Sequence, residues 1–329
     1  MNRRDFLKSA LTVAVCSPLA GVLARAASGS GAVSEPVVYF TPEISPEAVV
    51  RMYRVLGVAL PGPVAVKVHS GEKGNQNFLR PEFFRPMVEA VNGTIVECNT
   101  AYEGARNTTE KHRRLIAEHG WSSCFPVDLM DAEGPDLVLP VPGGRILKQN
   151  FVGKNMARYR SMLVLSHFKG HPVAGYGGAL KQLSIGCASS RGKALIHSGG
   201  VTADQTACWN HMASAEVFGD AMAETAGTIV NYFKNRIAFV NMMCNLSVDC
   251  DCCAVAENPC MKDIGILAST DPVALDQACM DRIRQSDDPG REHFLERVNS
   301  RLGTRVIESA AARGVGSRRY RLVRLDGKE

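Results

Sequence analysis

Two rhythms of apolar and polar positions run along this chain. Short aliphatic runs punctuate it, at residues 36–41 (PVVYFT), 64–68 (VAVKV), 94–98 (TIVEC), 137–139, 146–151, 162–165 and 237–243, and they read as strands. Between and after them, apolar residues recur at helical spacing over 45–56, 81–91, 108–120, 179–185, 214–233, 271–284 and 292–308. Local chemistry supports several of these boundaries. Pro46 and Pro272 sit early in their helices, Thr108 or Thr109 and Thr270 or Asp271 are capping residues, and Gly120 is a stop. A last strand is expected at 320–325.

Strand, polar loop and helix follow one another repeatedly. That order predicts an α/β fold with a mixed, mostly parallel sheet flanked by helices and with long glycine- and cysteine-containing loops. In such sheets ligands collect beyond the carboxyl ends of the strands. Four loops fall there: HSGEKGNQNFLRP after residue 68, residues 99–107, SHFKGHPVAGYGG from residue 166, and VDCDCCAVAENPC from residue 248.

The first 26 residues change the picture of location. Arg3-Arg4-Asp5-Phe6-Leu7-Lys8 is a twin-arginine pattern, and a short apolar run and the small-x-small triplet Ala24-Arg25-Ala26 follow it. The expectation is a twin-arginine signal peptide over 1–26, a single domain over 27–329, and a periplasmic or otherwise exported protein. The apolar run is too short for a membrane span, and no stable span is expected in the mature chain. Most of the formal net charge of +5 belongs to this leader, through Arg3, Arg4, Lys8 and Arg25 against Asp5. The remainder carries no basic field and no reading module of the kind that binds nucleic acid.

Export makes disulfides chemically permissible. The chain has 11 cysteines, and Cys250, Cys252, Cys253 and Cys260 are bunched in one loop. Three readings stand for them: ligands to a metal or iron–sulfur cluster with help from Cys208, a Cys253–Cys260 disulfide, or inert packing. Cys250 and Cys253 have the spacing a zinc site prefers, while the usual cluster-binding run of cysteines is missing. In an extended chain Cys250 and Cys252 point one way and Cys253 the other. Asp263 and Asp276 are further partners for the thiol loop.

Lys67, His69, Glu72, His167, Lys169, His171 and Lys181 make a polar, cation-rich set at the strand-end loops, suited to an anion or substrate pocket. The histidines, with His197, also offer nitrogen ligands. Gly175, Gly177 and Gly178 precede a helix, so backbone amides there are candidates for an anion cradle. Neither a P-loop nor a nucleophile elbow is present.

Several stretches resemble the DUF362 family, uncharacterised proteins often described as iron–sulfur centre proteins. They are KVHSGEKGNQNFLRPEF, ECNTAYEGARNTTEKH, HFKGHPVAGYGGALKQLSIG, CDCCAVAENPCMKDIGILASTDPVALDQA and GVGSRRYRLV. Many relatives carry a ferredoxin-like insert; at that place this chain runs SGGVTADQTACWNHMASAE, with Cys208 as its one thiol. The resemblance implies the core domain without the insert, with Cys250 and Cys252 matching the family's CDC pattern. The leading expectation is an exported metal- or iron–sulfur-binding protein with a redox role and a redox partner protein, zinc being the alternative metal. A metal-free ligand-binding or hydrolytic α/β protein with structural disulfides, and a zinc-stabilised accessory protein of a respiratory complex, are the alternatives.

Overall fold

In a computed structural model, residues 35–326 are described. The expected leader lies outside them. An eight-stranded sheet runs in the order Arg321–Arg324, Val37–Thr41, Gly265–Ser269, Ile237–Met243, Ser161–His167, Val64–Lys67, Gly93–Glu97, Val127–Leu129. Only Gly265–Ser269 runs against its neighbours. The sheet is therefore mixed and mostly parallel, as the alternation of strands and helices predicts.

The central strands are mostly apolar and buried because helices cover both faces. Successive side chains go to opposite sides. Ala65, Val96, Met162, Val164 and Phe239 enter one core, and Val64, Val66, Ile95, Leu163, Leu165 and Val240 enter the other. Burying one such side chain contributes about 1.5–3 kcal/mol. Helix starts follow the predicted chemistry. Ser45 accepts from the Ala48 amide, Thr108 from Lys111, Ser214 from Val217, and Asp271 from both Val273 and Ala274.

The structure departs from the pattern in instructive places. The single helix expected over 292–308 is two, Arg291–Ser300 and Arg305–Ala312. Leu302 has φ +48° and Gly303 is pressed against the backbone of Gly175, so the chain must turn there. The runs at 137–139 and 146–151 form their own two-stranded antiparallel sheet, Leu137–Pro140 with Gln149–Val152. Strand Val127–Leu129 and helix Ser190–His197 are additions that short or mixed patterns conceal. Among the described residues no helix is long and apolar enough to cross a membrane.

Sequence order gives the sheet its crevice. From Val64–Lys67 the chain steps outward to Gly93–Glu97 and Val127–Leu129, then returns to place Ser161–His167 on the other side. The loops beyond Lys67 and His167 thus leave to opposite sides, which opens a cleft at their carboxyl ends.

Candidate functional site

A cavity of about 270 Å³ occupies that cleft. It is lined by the strand-end residues Lys67, His69, Glu97 and His167, by Lys169, His171, Gly177, Gly178 and Lys181 of the glycine loop, and by Cys252 and Cys253. The expected pocket residues are therefore largely brought together. Glu72 stands behind the wall, bonding Arg106 Nε at 3.1 Å and Tyr102 Oη at 3.1 Å. Gly175 lies away from the cavity, where its φ of +76° and close approach to Gly303 leave no room for a side chain.

The cysteine loop is held from three directions. Asn75 Nδ2 donates to the carbonyls of Cys250 at 3.2 Å and Cys253 at 2.8 Å, Gln76 to Ala256, and Asn77 to Glu257. Arg297 bonds the Val248 carbonyl and the Asp249 carboxylate. Gly170 lets the loop pass close by: a Cβ there would lie 2.2 Å from Val248 O. Beneath the loop, Asp251 is buried and accepts from Lys169 Nζ at 2.8 Å and His167 Nδ1 at 2.9 Å. His167 Nε2 meets the Cys244 carbonyl at 2.7 Å. Burial alone would raise the Asp251 carboxyl, but its contacts with His167 and Lys169 hold it far below its usual range.

With Asp251 turned inward, Cys250 and Cys252 share the opposite face. Their Sγ atoms and a ring nitrogen of His171 lie within 4.8 Å of one another. Among the described residues this is the group of histidine, cysteine and carboxylate side chains with metal-site spacing. Cys253 departs from the extended-chain expectation. The Cys253 amide bonds the Cys250 carbonyl at 2.9 Å, so the loop is a tight turn and Cys253 lines the cavity beside Cys252. Burial pushes the Cys250 thiol well up. Cys252 is lowered by its bond to Cys250, but Cys253 and burial outweigh this and push it up to about 11. Cys253 is lowered by its bond to Cys252. Three adjacent thiols suit a soft metal, whose binding would displace their protons.

His171 enters this group with a proton to give. Its Nδ1 accepts from the amides of Val173 at 3.0 Å and Ala174 at 2.8 Å. The neutral ring then carries its hydrogen on Nε2, which faces Cys252 Sγ at 3.5 Å. A histidine ligand ordinarily donates from its other nitrogen. In this arrangement His171 is a hydrogen-bond donor to the Cys252 sulfur, and the thiols are the ligands on offer.

Other expected ligands are elsewhere. Cys260 Sγ turns to the Leu246 carbonyl at 3.3 Å, and Cys208 packs with Ala101 and Ala194. The four-thiol set of the sequence reading is not assembled. The Cys253–Cys260 disulfide is not formed either; all ten described cysteines are free thiols. The anion cradle is also corrected. The amides of Ala179 and Leu180 already bond the Asp276 carboxylate at 2.8 and 3.0 Å, with Tyr176 and Asn241 completing its shell. Asp276 is thus the anion of that helix start and no partner of the thiols. Asp263 instead caps the Asn245 amide.

Sequence reading did not select Arg106, Lys193, Tyr102 or Trp209 for the site. Lys193 lies in an apolar-faced helix, where a lysine on the inward side is the available signal; the others needed the tertiary structure. Lys67 pairs with Glu97 at 2.7 Å, and Arg106 approaches the same carboxylate at 3.9 Å.

Residues 64–281 match the model of DUF362, a domain of unknown function. The chain belongs to this family. No curated protein matches it. Among solved structures it is similar to the lactate racemase apoprotein of Thermoanaerobacterium thermosaccharolyticum, at 14% identity and TM-score 0.36, over 63% of this chain and 50% of that one. It is also similar to a structural-genomics protein from Thermotoga maritima, at 11% identity and TM-score 0.37, over 81% and 58%. The chain spans between half and three-fifths of those chains' lengths.

Proposed function

We propose that this protein is an exported, thiolate-centred metal protein with a redox role. Its ligands are Cys250, Cys252 and Cys253, and His171 hydrogen-bonds the Cys252 sulfur. The observation that carries the reading is the convergence of Cys250, Cys252 and His171 within 4.8 Å, at the wall of a cavity. Three thiols suit zinc or the iron of an iron–sulfur cluster. Iron would supply electron transfer, and a hydrogen bond from His171 to a coordinating sulfur would tune its potential. The twin-arginine pattern at Arg3-Arg4 supports export of a protein that folds around its metal beforehand. A redox partner protein then docks where the cavity opens.

The test is elemental. Protein purified without oxygen is assayed for iron, zinc and acid-labile sulfide per chain, and its visible spectrum is recorded. Near-stoichiometric metal, lost in C250S and C252S, is the expected result. Iron with sulfide supports the redox role, and zinc alone removes it. A metal-free chain, or one whose metal survives both substitutions, overturns the site.

A further inference from the structure

The unpaired charge of the cavity is one-sided. Lys67 pairs with Glu97, Lys169 with Asp251, and Arg106 with Glu72. Two further lysines line the same space. Lys181 bonds no described residue, and Lys193 bonds only the Ala188 carbonyl at 2.6 Å. Neither has a carboxylate at ion-pair distance among the described residues. The cavity therefore holds uncompensated positive charge.

The imidazole at its wall adds to this. His69 Nδ1 accepts from the Gly71 amide at 3.1 Å, so the neutral ring carries its proton on Nε2. His69, in the cavity wall, is held neutral: burial and then Arg106, Lys169, Lys181 and Lys67 push its pKa well down. The carboxylate in the wall is already used, since Glu97 takes Lys67, the Ser70 amide and the Ser70 hydroxyl. Glycines give the lysines their room. A Cβ on Gly186 would press on Lys67 Cε at 2.8 Å, and Gly177 lies between Lys169 and Lys181.

We propose that the cavity binds a small oxyanion, a carboxylate or a phosphate, gripped by Lys181, Lys193 and the Nε2–H of His69. The volume is at the small end for ligand pockets, which excludes a dinucleotide. Apolar lining from Ala101, Val173, Ile185 and Trp209 leaves space for a short carbon portion. The inference stands apart from the metal reading, because none of these three donors is a thiol or bonds one.

The experiment is calorimetric titration of the full chain with inorganic phosphate and with succinate. Succinamide serves as the uncharged analogue, and chloride holds the ionic strength constant. Metal content is measured on the same samples, so loss of the metal reading and loss of this one are separable. Lys181 is the first substitution, because removing it strands no buried carboxylate. The expected result is binding of phosphate or succinate and none of succinamide. K181M and K193M should each weaken it by about tenfold or more, the value of one charged hydrogen bond. K154M, an exposed lysine outside the cavity, should leave it unchanged. Whichever anion binds identifies the head group. The proposal is overturned if neither anion binds at millimolar concentration, if succinamide binds equally well, or if K181M and K193M, with unchanged melting temperature, bind as the parent does.

Discussion

Asp251 is the residue on which fold and site meet, and D251N tests that. The carboxylate is 1% exposed and accepts from Lys169 at 2.8 Å and His167 at 2.9 Å. Asparagine keeps the shape and one acceptor, but it leaves Lys169, 3% exposed, without its counter-charge. Removing one partner of a buried pair costs about 3–5 kcal/mol, and a retained neutral hydrogen bond returns about 1 kcal/mol. The net expectation is a loss of about 3 kcal/mol, read from denaturant unfolding at neutral pH. The comparison is D249N, whose partner Arg297 is 19% exposed and whose loss should be about 1 kcal/mol. The double variant D251N/K169M should lose less than its two singles combined, because the stranded charge is gone. D251N should also quicken the reaction of Cys252 and Cys253 with a thiol reagent, since the loop that holds them is released. A loss no greater than that of D249N, or additive behaviour of the double variant, would refute the reasoning.

Further outcomes follow from the same geometry. N75A should cost about 2 kcal/mol by stranding the Cys253 carbonyl and the Asn77 and Phe78 amides and by taking one of two donors from the Cys250 carbonyl, and it should raise thiol reactivity, which distinguishes loop release from general destabilisation. G170A should destabilise by about 2 kcal/mol or more because its Cβ meets loop backbone, seen as a lowered melting temperature. Acid should unfold the protein in a defined window. Burial and then Arg106 push His112 down to about 3, and burial pushes His197 down to about 4. Both rings protonate in the unfolded chain near their ordinary value, so their contribution is full above it and drains as pH falls, to about 4 for His197 and about 3 for His112, by about 1.4 kcal/mol per pH unit for each histidine. Glu97 is raised by burial but lowered more by Lys67 and Arg106, to about 2, so its contribution is lost lower, from about 4.5 downward. Unfolding midpoints that stay flat from neutral pH to 4 would refute this assignment. Zinc affinity should rise as pH is raised from about 6 to about 8, because binding displaces protons from thiols that burial pushes up, measured by competition with a chelator.

Much of this molecule is legible along one dimension. Strands such as VAVKV and IAFVNMM declare themselves because both sheet faces are covered, so nearly every position is apolar. Caps at Ser45, Thr108 and Asp271 are local chemistry, decided within three residues. The placement of the candidate site at strand ends, and the sharing of one face by Cys250 and Cys252, follow from order and short spacing. Partnership over long separations is not encoded in any window. Asn75 holds a carbonyl 175 residues away, and Asp276 fills a helix start that glycines alone would have left to a ligand. The same holds for Cys208 and Cys260. Composition nominates them as ligands, but a packing niche and a nearby carbonyl claim them first. The proton on His171 depends on two amides that only the folded turn aims at its Nδ1. The chain by itself determined which chemistries are present and roughly where; the tertiary structure decided which of them are already satisfied, because satisfaction is a matter of distance and direction between residues far apart in sequence.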